Sequence, residues 1–253
     1  MGFGLLAVIG AMVLMAIQSA VDDVAELGED VLRDGNNVAG SNGDDQIEGD
    51  AAANYILPGG GADQVDGGAG NDTISDWPLG LEKARSDAGL VNPDWSSDTL
   101  LGGPGDDVIL ATGGADAVDG GAGDDRINGL DLHPDSPYAP DLLTGGAGDD
   151  WLVGNDGDTL VGGAGRDFFT NLVEDGQEDA PVIVEDFGRG EVMEVLVYDR
   201  ALLSEDGGAP DHALRDGPDG AVLSVKGVDA VVFRDALARD LNGEIRVLDG
   251  RSV

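Results

Sequence analysis

Cysteine is absent from the 253 residues, which excludes disulfide staples, thiolate nucleophiles and cysteine-based zinc sites. Histidine is nearly absent: His133 and His212 are the two in the chain, and neither lies in a ligand-spaced cluster. Both read as exposed loop residues. Basic side chains are scarce, with 13 Lys and Arg against 51 Asp and Glu, for a net charge of −38. Nucleic acid is therefore excluded as a partner, because binding phosphates needs clustered cations. Enzyme signatures are missing as well: there is no HExxH, no Gly-x-Ser-x-Gly and no Gly-x-x-x-x-Gly-Lys-[Ser/Thr]. The glycine-rich turns each present an acid where a nucleotide phosphate would sit. A glycosidase carboxylate pair is not needed to explain acids that recur at a fixed spacing. The expectation is a noncatalytic protein that attracts cations.

What the chain does have is glycine, 43 residues of it, set in a nine-residue word. The cleanest copy is GGAGDDRIN at 120–128; others are GGAGNDTIS from Gly67, GGPGDDVIL from Gly102, GGAGDDWLV from Gly145 and GGAGRDFFT from Gly162. Each part of Gly-Gly-x-Gly-x-Asp-x-apolar-x has its own job. Glycines let the backbone turn through positive φ and leave room for carbonyls to face an ion. The aspartate is a hard oxygen ligand. The apolar residue two places later points inward from a short strand.

The word stays in phase. Counting in nines from Val31, the sixth positions are Asn36, Asp45, Asn54, Asp63 and Asp72, and the eighth are Val38, Ile47, Ile56, Val65 and Ile74. A second block from Pro93 gives Asp98, Asp107, Asp116 and Asp125, with Leu100, Ile109, Val118 and Ile127. A third, from about Ser136, gives Asp141, Asp150, Asp158 and Asp167, with Leu143, Leu152, Leu160 and Phe169; its turn at Gly154 is one residue short. A Gly/Asp-rich linker would not keep the apolar position in register. The pattern predicts an all-β, right-handed parallel β-roll, two nonapeptides to a coil.

In such a roll, turns 18 residues apart stack, bringing Asp45 near Asp63, Asp107 near Asp125 and Asp150 near Asp167. Two carboxylates at ~5 Å repel by about 3 kcal/mol at an effective dielectric of ~20. The inward aliphatics form a thin core to oppose this. Without metal the segment is expected to be largely disordered. Calcium turns repulsion into bridging and suits adaptable, carbonyl-rich oxygen turns better than magnesium does.

With these motifs the chain resembles the repeats-in-toxin proteins, the hemolysin-type calcium-binding repeat family, over residues 31–170. The resemblance implies several bound Ca2+ ions, a chain unfolded in low-calcium cytosol, export by type I secretion and folding outside the cell. It also implies a ligand set in which the sixth-position acids share ions with backbone carbonyls of the glycine turns. Carried onto this sequence, the acids are Asp45, Asp63, Asp72, Asp107, Asp125, Asp150 and Asp167. The turn positions are Gly40, Asn42, Gly59, Gly61, Gly67, Ala69, Gly102, Pro104, Gly120, Ala122, Gly145, Ala147, Gly162 and Ala164. Asp116 and Asp158 join them from turns that keep the acid but lose glycines; there, as at Asp98 and Asp141, a structural aspartate is as good a reading as a ligand. The turn at Gly49 puts Asn54 in the acid's place and alanines where glycines belong, and Asn36 belongs to a degenerate capping turn.

Insertions near 76–92 and 129–140 interrupt the word, the first with a short helix expected over 81–88 and the second broken by prolines. Trp77, Trp95 and Tyr138 lie in or beside them. They either cover an exposed roll end or form the surface of a calcium-dependent adhesion or carbohydrate-binding module, or of an accessory to a secreted enzyme, facing an extracellular glycan or protein partner. Residues 171–253 read as a β-rich cap over open sheet edges, with a hairpin across Lys226–Gly227, a short helix over 235–241 and a last strand over 244–248. By resemblance this region also holds the secretion signal. At the other end, residues 3–17 are apolar without interruption, and 21–30 are an acidic linker. Residues 1–20 are expected to be a hydrophobic helix: either an anchor or signal-like segment that holds the roll at the membrane through residues 3–20, or a hydrophobic piece tolerated in a secreted chain. Secreted or cell-surface localisation follows.

Overall fold

The computed structural model describes residues 32–41, 43–76, 95–130, 139–155, 157–173, 180–199, 201–203, 210–239, 241 and 243–252. Strands are short because each apolar alternation runs only a few residues before glycines turn the chain. The first block forms β1 (Leu32–Asp34), β2 (Asn37–Ala39), β3 (Gln46–Asp50), β4 (Tyr55–Leu57), β5 (Gln64–Gly68) and β6 (Thr73–Ser75). The second forms β7 (Thr99–Pro104), β8 (Val108–Leu110), β9 (Ala117–Ala122) and β10 (Arg126–Asn128). The third forms β11 (Leu142–Ala147), β12 (Trp151–Gly154), β13 (Thr159–Ala164) and β14 (Phe168–Val173). Beyond it lie β15 (Val182–Val184), β16 (Val192–Val197), β17 (His212–Asp216), β18 (Gly220–Val225), β19 (Val228–Arg234) and β20 (Glu244–Asp249).

From β2 to β16 successive strands alternate between two ten-stranded sheets. One runs β1-β2-β4-β6-β8-β10-β12-β14-β16-β20, the other β17-β18-β19-β15-β13-β11-β9-β7-β5-β3. Within the roll every pairing is parallel, which makes the parallel β-roll of the sequence reading. The eighth-position residues form its core. In one sheet Val38, Ile56, Ile74, Ile109, Ile127, Leu152 and Phe169 stand in continuous register, followed by Met193. In the other, Ile47, Val65, Leu100, Val118, Leu143 and Leu160 do the same, followed by Val184. None of these residues is more than 3% exposed. Ile127, at 1% exposure between Ile109 and Leu152, tests the stack. Ile127→Ala should lower the stability of the calcium-loaded protein by about 2–5 kcal/mol in denaturant titration, the usual range for emptying such a site.

The insertions do not break either sheet. Val65 pairs with Leu100 and Ile74 with Ile109 across the first, and Val118 with Leu143 and Ile127 with Leu152 across the second. Both excursions leave from the same edge of the roll, between β6 and β7 and between β10 and β11. Residues 77–94 and 131–138, with the helix expected over 81–88, Trp77, Tyr138 and His133, lie outside the described residues, as does the N-terminal segment 1–31.

The parallel winding also runs past residue 170. β14 pairs with β16 and β16 with β20, while β13 pairs with β15 and β15 with β19, all parallel. Residues 182–197 keep the apolar alternation while losing most of the glycine and aspartate, so the nonapeptide count ended before the sheets did. Antiparallel pairing enters only at the ends. β1 folds onto β2, and β17 and β18 extend the second sheet outward from β19. The expected hairpin at Lys226–Gly227 forms with φ of 45° and 88°, the left-handed pair of a two-residue turn. The helix expected over 235–241 is not there among the described residues. Asp235 sits at φ 55°, and the Ala238 N–H donates to Asp216 Oδ1 at 2.8 Å, so the local bonds of the segment go elsewhere than to a helix too short to sustain itself.

Candidate metal centre

The sixth-position residues form two unbroken files, one on each edge. Along the first edge Asp45, Asp63, Asp98, Asp116, Asp141 and Asp158 are joined one to the next: the backbone N–H of each donates to Oδ1 of its successor at 2.8–2.9 Å. Along the second edge Asn54, Asp72, Asp107, Asp125, Asp150 and Asp167 are joined in the same way at 2.6–3.0 Å. The stacked pairs Asp45–Asp63, Asp107–Asp125 and Asp150–Asp167 are therefore neighbours as expected. The files also pass across both insertions, where the steps are 35 and 25 residues long. Every one of these side chains is buried.

Each rung uses one carboxylate oxygen, and the other oxygen shows what the turn needs. On the second edge Oδ2 of Asp72, Asp107, Asp125, Asp150 and Asp167 is buried without a hydrogen-bond partner, and on the first edge so is Oδ2 of Asp63 and of Asp116. A stranded anionic oxygen of this kind is costly unless something positive meets it. The space it faces is lined by glycine. A Cβ built on Gly67 would lie 2.7 Å from Asp72 Oδ2 and 2.7 Å from the carbonyl oxygen of Gly102 in the next coil. On Gly120 it would lie 2.5 Å from Asp125 Oδ2 and 2.7 Å from the Gly145 carbonyl. Gly102 and Gly145 have the same surroundings, with Asp107 and the Gly120 carbonyl, and Asp150 and the Gly162 carbonyl. A carboxylate oxygen and a carbonyl oxygen thus converge on a cradle that any side chain would fill. This hard-oxygen donor set fits Ca2+. Among the described residues no three acidic or histidine side chains gather at one point, so these cradles draw on one acid per turn and on backbone oxygens.

Burial pushes Asp107 up to about 6, Asp125 up to about 7 and Asp150 up to about 6, with like charges in adjoining coils adding to the shift and the rung hydrogen bonds opposing it. Asp72 and Asp167 are raised by the same cause.

The remaining sequence candidates are placed as follows. The carbonyls of Pro104, Ala122, Ala147 and Ala164 accept from the fourth-position glycine N–H of the preceding coil at 2.7–2.9 Å. The Ala69 N–H donates to the Asp50 carbonyl. Gly59 and Gly61 turn at φ 108° and 102°. Gly40 lies against Asp45 Oδ2 and the Pro58 carbonyl, and Gly162 lies against Asp167 Oδ2. Asn42 is outside the described residues. In the degenerate turn at its start, the Asn36 amide donates to the Ala53 carbonyl and holds the hairpin end to the next coil.

Two residues escaped the sequence reading. Glu191 takes the sixth position one coil beyond Asp167, because the Val192 N–H donates to the Asp167 carbonyl. It is 7% exposed and raised by burial, and its Oε2 accepts from the Gly188 N–H at 2.6 Å. Asp186 accepts from both Gly162 N–H and Gly163 N–H at 2.9 and 2.8 Å. The signal was the return of apolar alternation at Val192 and Met193 after a turn that keeps two glycines.

The RTX calcium-binding nonapeptide repeat matches the chain in four copies, over residues 27–65, 39–74, 94–129 and 139–169. No curated protein matches the chain. Repeats of this kind bind Ca2+, and several copies imply several ions. In-phase nonapeptides, a parallel roll and buried oxygens that call for a cation meet in one assignment: residues 27–74, 94–129 and 139–169 carry calcium-binding RTX nonapeptide repeats.

Proposed function

We propose that this chain is a noncatalytic protein of the extracytoplasmic space whose roll assembles when it meets calcium outside the cell. The observation that supports this most directly is the file of stranded Oδ2 atoms at Asp72, Asp107, Asp125, Asp150 and Asp167. At −38 net charge the chain repels itself, and each coil adds a further buried carboxylate. A compartment where calcium is scarce leaves the repulsion unopposed, and one where it is abundant supplies the missing partner. As proposed ligands the carboxylates of those five aspartates act with the carbonyls of the glycine turns. Each ion polarises nothing for reaction; it bridges one coil to the next. The residues of the repeats account for their own acids, so no hydrolytic pair is assigned.

Calcium titration of the chelator-treated protein, followed by far-UV circular dichroism beside a magnesium control, tests the switch. Strand signal should rise with calcium and not with equal magnesium; equal response to both ions would sink the calcium reading. Location is tested separately by fractionating cells that express the chain with and without residues 1–20. Recovery at the surface or in the medium for the full chain is expected, and a purely cytosolic product would refute the extracytoplasmic role.

A further inference from the structure

The two edges of the roll are not equivalent. On the edge that carries Asp72 to Asp167, five turns in a row keep the full Gly-Gly-x-Gly-x-Asp word, and no excursion leaves from it. The opposite edge holds both insertions and the turn that is one residue short. The fifth positions differ in the same sense. On the complete edge Asp106, Asp124 and Asp149 form an exposed file beside the buried one, the Asp124 N–H donating to Asp106 Oδ1 at 3.0 Å and the Asp149 N–H to Asp124 Oδ1 at 2.9 Å. Arg166 closes that file on Asp149 at 2.8 Å. On the interrupted edge the fifth positions are Asp44, Ala62, Ser97, Ala115, Pro140 and Gly157, almost all uncharged.

The second carboxylate oxygens diverge in part: on the interrupted edge Oδ2 of Asp63 and of Asp116 is also buried without a hydrogen-bond partner, and the difference lies at that edge's ends. At both ends of the interrupted edge Oδ2 is satisfied within its own turn. Asp45 Oδ2 accepts from the Ser41 N–H at 2.6 Å and from its hydroxyl at 3.1 Å, and Asp158 Oδ2 accepts from the Asn155 N–H at 2.8 Å. On the complete edge only the flanking turns do this: Asn54 Oδ1 takes the Asp50 N–H, and Glu191 takes the Gly188 N–H. The five turns between them keep a stranded oxygen, and each of those residues is no more than 1% exposed.

We infer that calcium binds in two unequal rows: a tight row on the complete edge, one ion beside each of Asp72, Asp107, Asp125, Asp150 and Asp167, on which folding depends, and a weak, dispensable row on the interrupted edge. The inference rests on the calcium reading of the repeats and adds which sites carry it. The exposed acids Asp106, Asp124 and Asp149 add negative potential beside three of the five tight turns, which draws cations to that edge. The end turns of the interrupted edge, at Asp45 and Asp158, close on their own N–H groups and gain less from the ion. The interrupted edge is thus left free to vary in length without loss of the metal file.

Calcium titration of the full chain from chelator, read by native mass spectrometry for ion count and by circular dichroism for folding, tests this. Wild type should fill a tight class of five ions as strand signal appears, with further ions bound after folding is complete. The double variant Asp107→Asn/Asp125→Asn keeps the rung acceptor and removes the charge. It should lose two tight ions and raise the calcium midpoint of folding by about tenfold or more. Asp98→Asn/Asp141→Asn on the other edge should leave the tight class intact and move the midpoint by less than about twofold. Gly120→Ala, which fills one cradle without altering charge, should cost one tight ion and guards against a general charge effect. Equal shifts from the two double variants, or a single class of ions spanning both edges, overturns the two-row inference while leaving calcium binding in place. Absence of calcium uptake by the wild type defeats both.

Discussion

Stripped of calcium at neutral pH, the protein should lose its strand signal and its resistance to protease, and acidification should restore part of both. Five sites, each held at 100 times its dissociation constant, would contribute on the order of 10 kcal/mol, comparable with the ~5–15 kcal/mol that ordinarily separates a folded domain from its unfolded chain. Removing that contribution leaves the buried carboxylates of Asp107, Asp125 and Asp150 facing one another in the dry edge. Their folded values of about 6, 7 and 6 lie above the 3.8 of a free aspartate. A group raised on folding binds more protons in the native state than in the unfolded one, so metal-free stability falls as pH rises. The loss begins near the free value and is complete above the folded one, so the window runs from about pH 4 to about pH 7. Circular dichroism in chelator across that range should show order greatest at the acid end. Calcium should abolish the dependence by holding the carboxylates ionised. Greater order at pH 8 than at pH 5 without metal would contradict this account.

Gly146→Ala should be far more damaging than its single methyl suggests. Gly146 adopts φ 111°, where side chains are strained, and a Cβ there would overlap the carbonyl of Gly121 in the coil beneath. That carbonyl belongs to a backbone fixed by its own rungs and cannot step aside without separating two coils. We expect a cost of about 4 kcal/mol or more in the calcium-loaded protein, the range reserved for backbone overlap in a packed interior. Gly227→Ala is the control. Gly227 has a similar φ of 88° with no atom within 4 Å of the added methyl, so strain alone acts there. Its cost should be about 1 kcal/mol. Denaturant midpoints of the two variants, taken side by side, separate strain from overlap; similar losses would show that the coils are less closely stacked than drawn.

Much of this was legible in the residues. The eighth positions, from Val38 to Phe169, were read as core and are core, because a one-residue slip would have turned every one of them to solvent. The glycine word revealed the turns for the same steric reason that constrains Gly146. The splice across the insertions was less legible, since nothing local announces that Asp63 bonds to Asp98 or Asp116 to Asp141. The difference between Asp45, whose Oδ2 finds the Ser41 N–H, and Asp125, whose Oδ2 finds nothing, is one of backbone path within turns that look alike as letters. Glu191 was hidden because the longer acid left the repeat's alphabet while the winding continued.

The continuity of both sheets across the excursions has an engineering consequence. Residues 35 positions apart pair as directly as those 18 apart, so foreign sequence placed in the joint between β6 and β7 should leave both sheets paired. Closing a longer loop there adds only ~0.6 kcal/mol for each doubling of its length. A peptide grafted into that joint would be presented beside a rigid, ion-clamped spine, ready for display and detachable by a chelating wash.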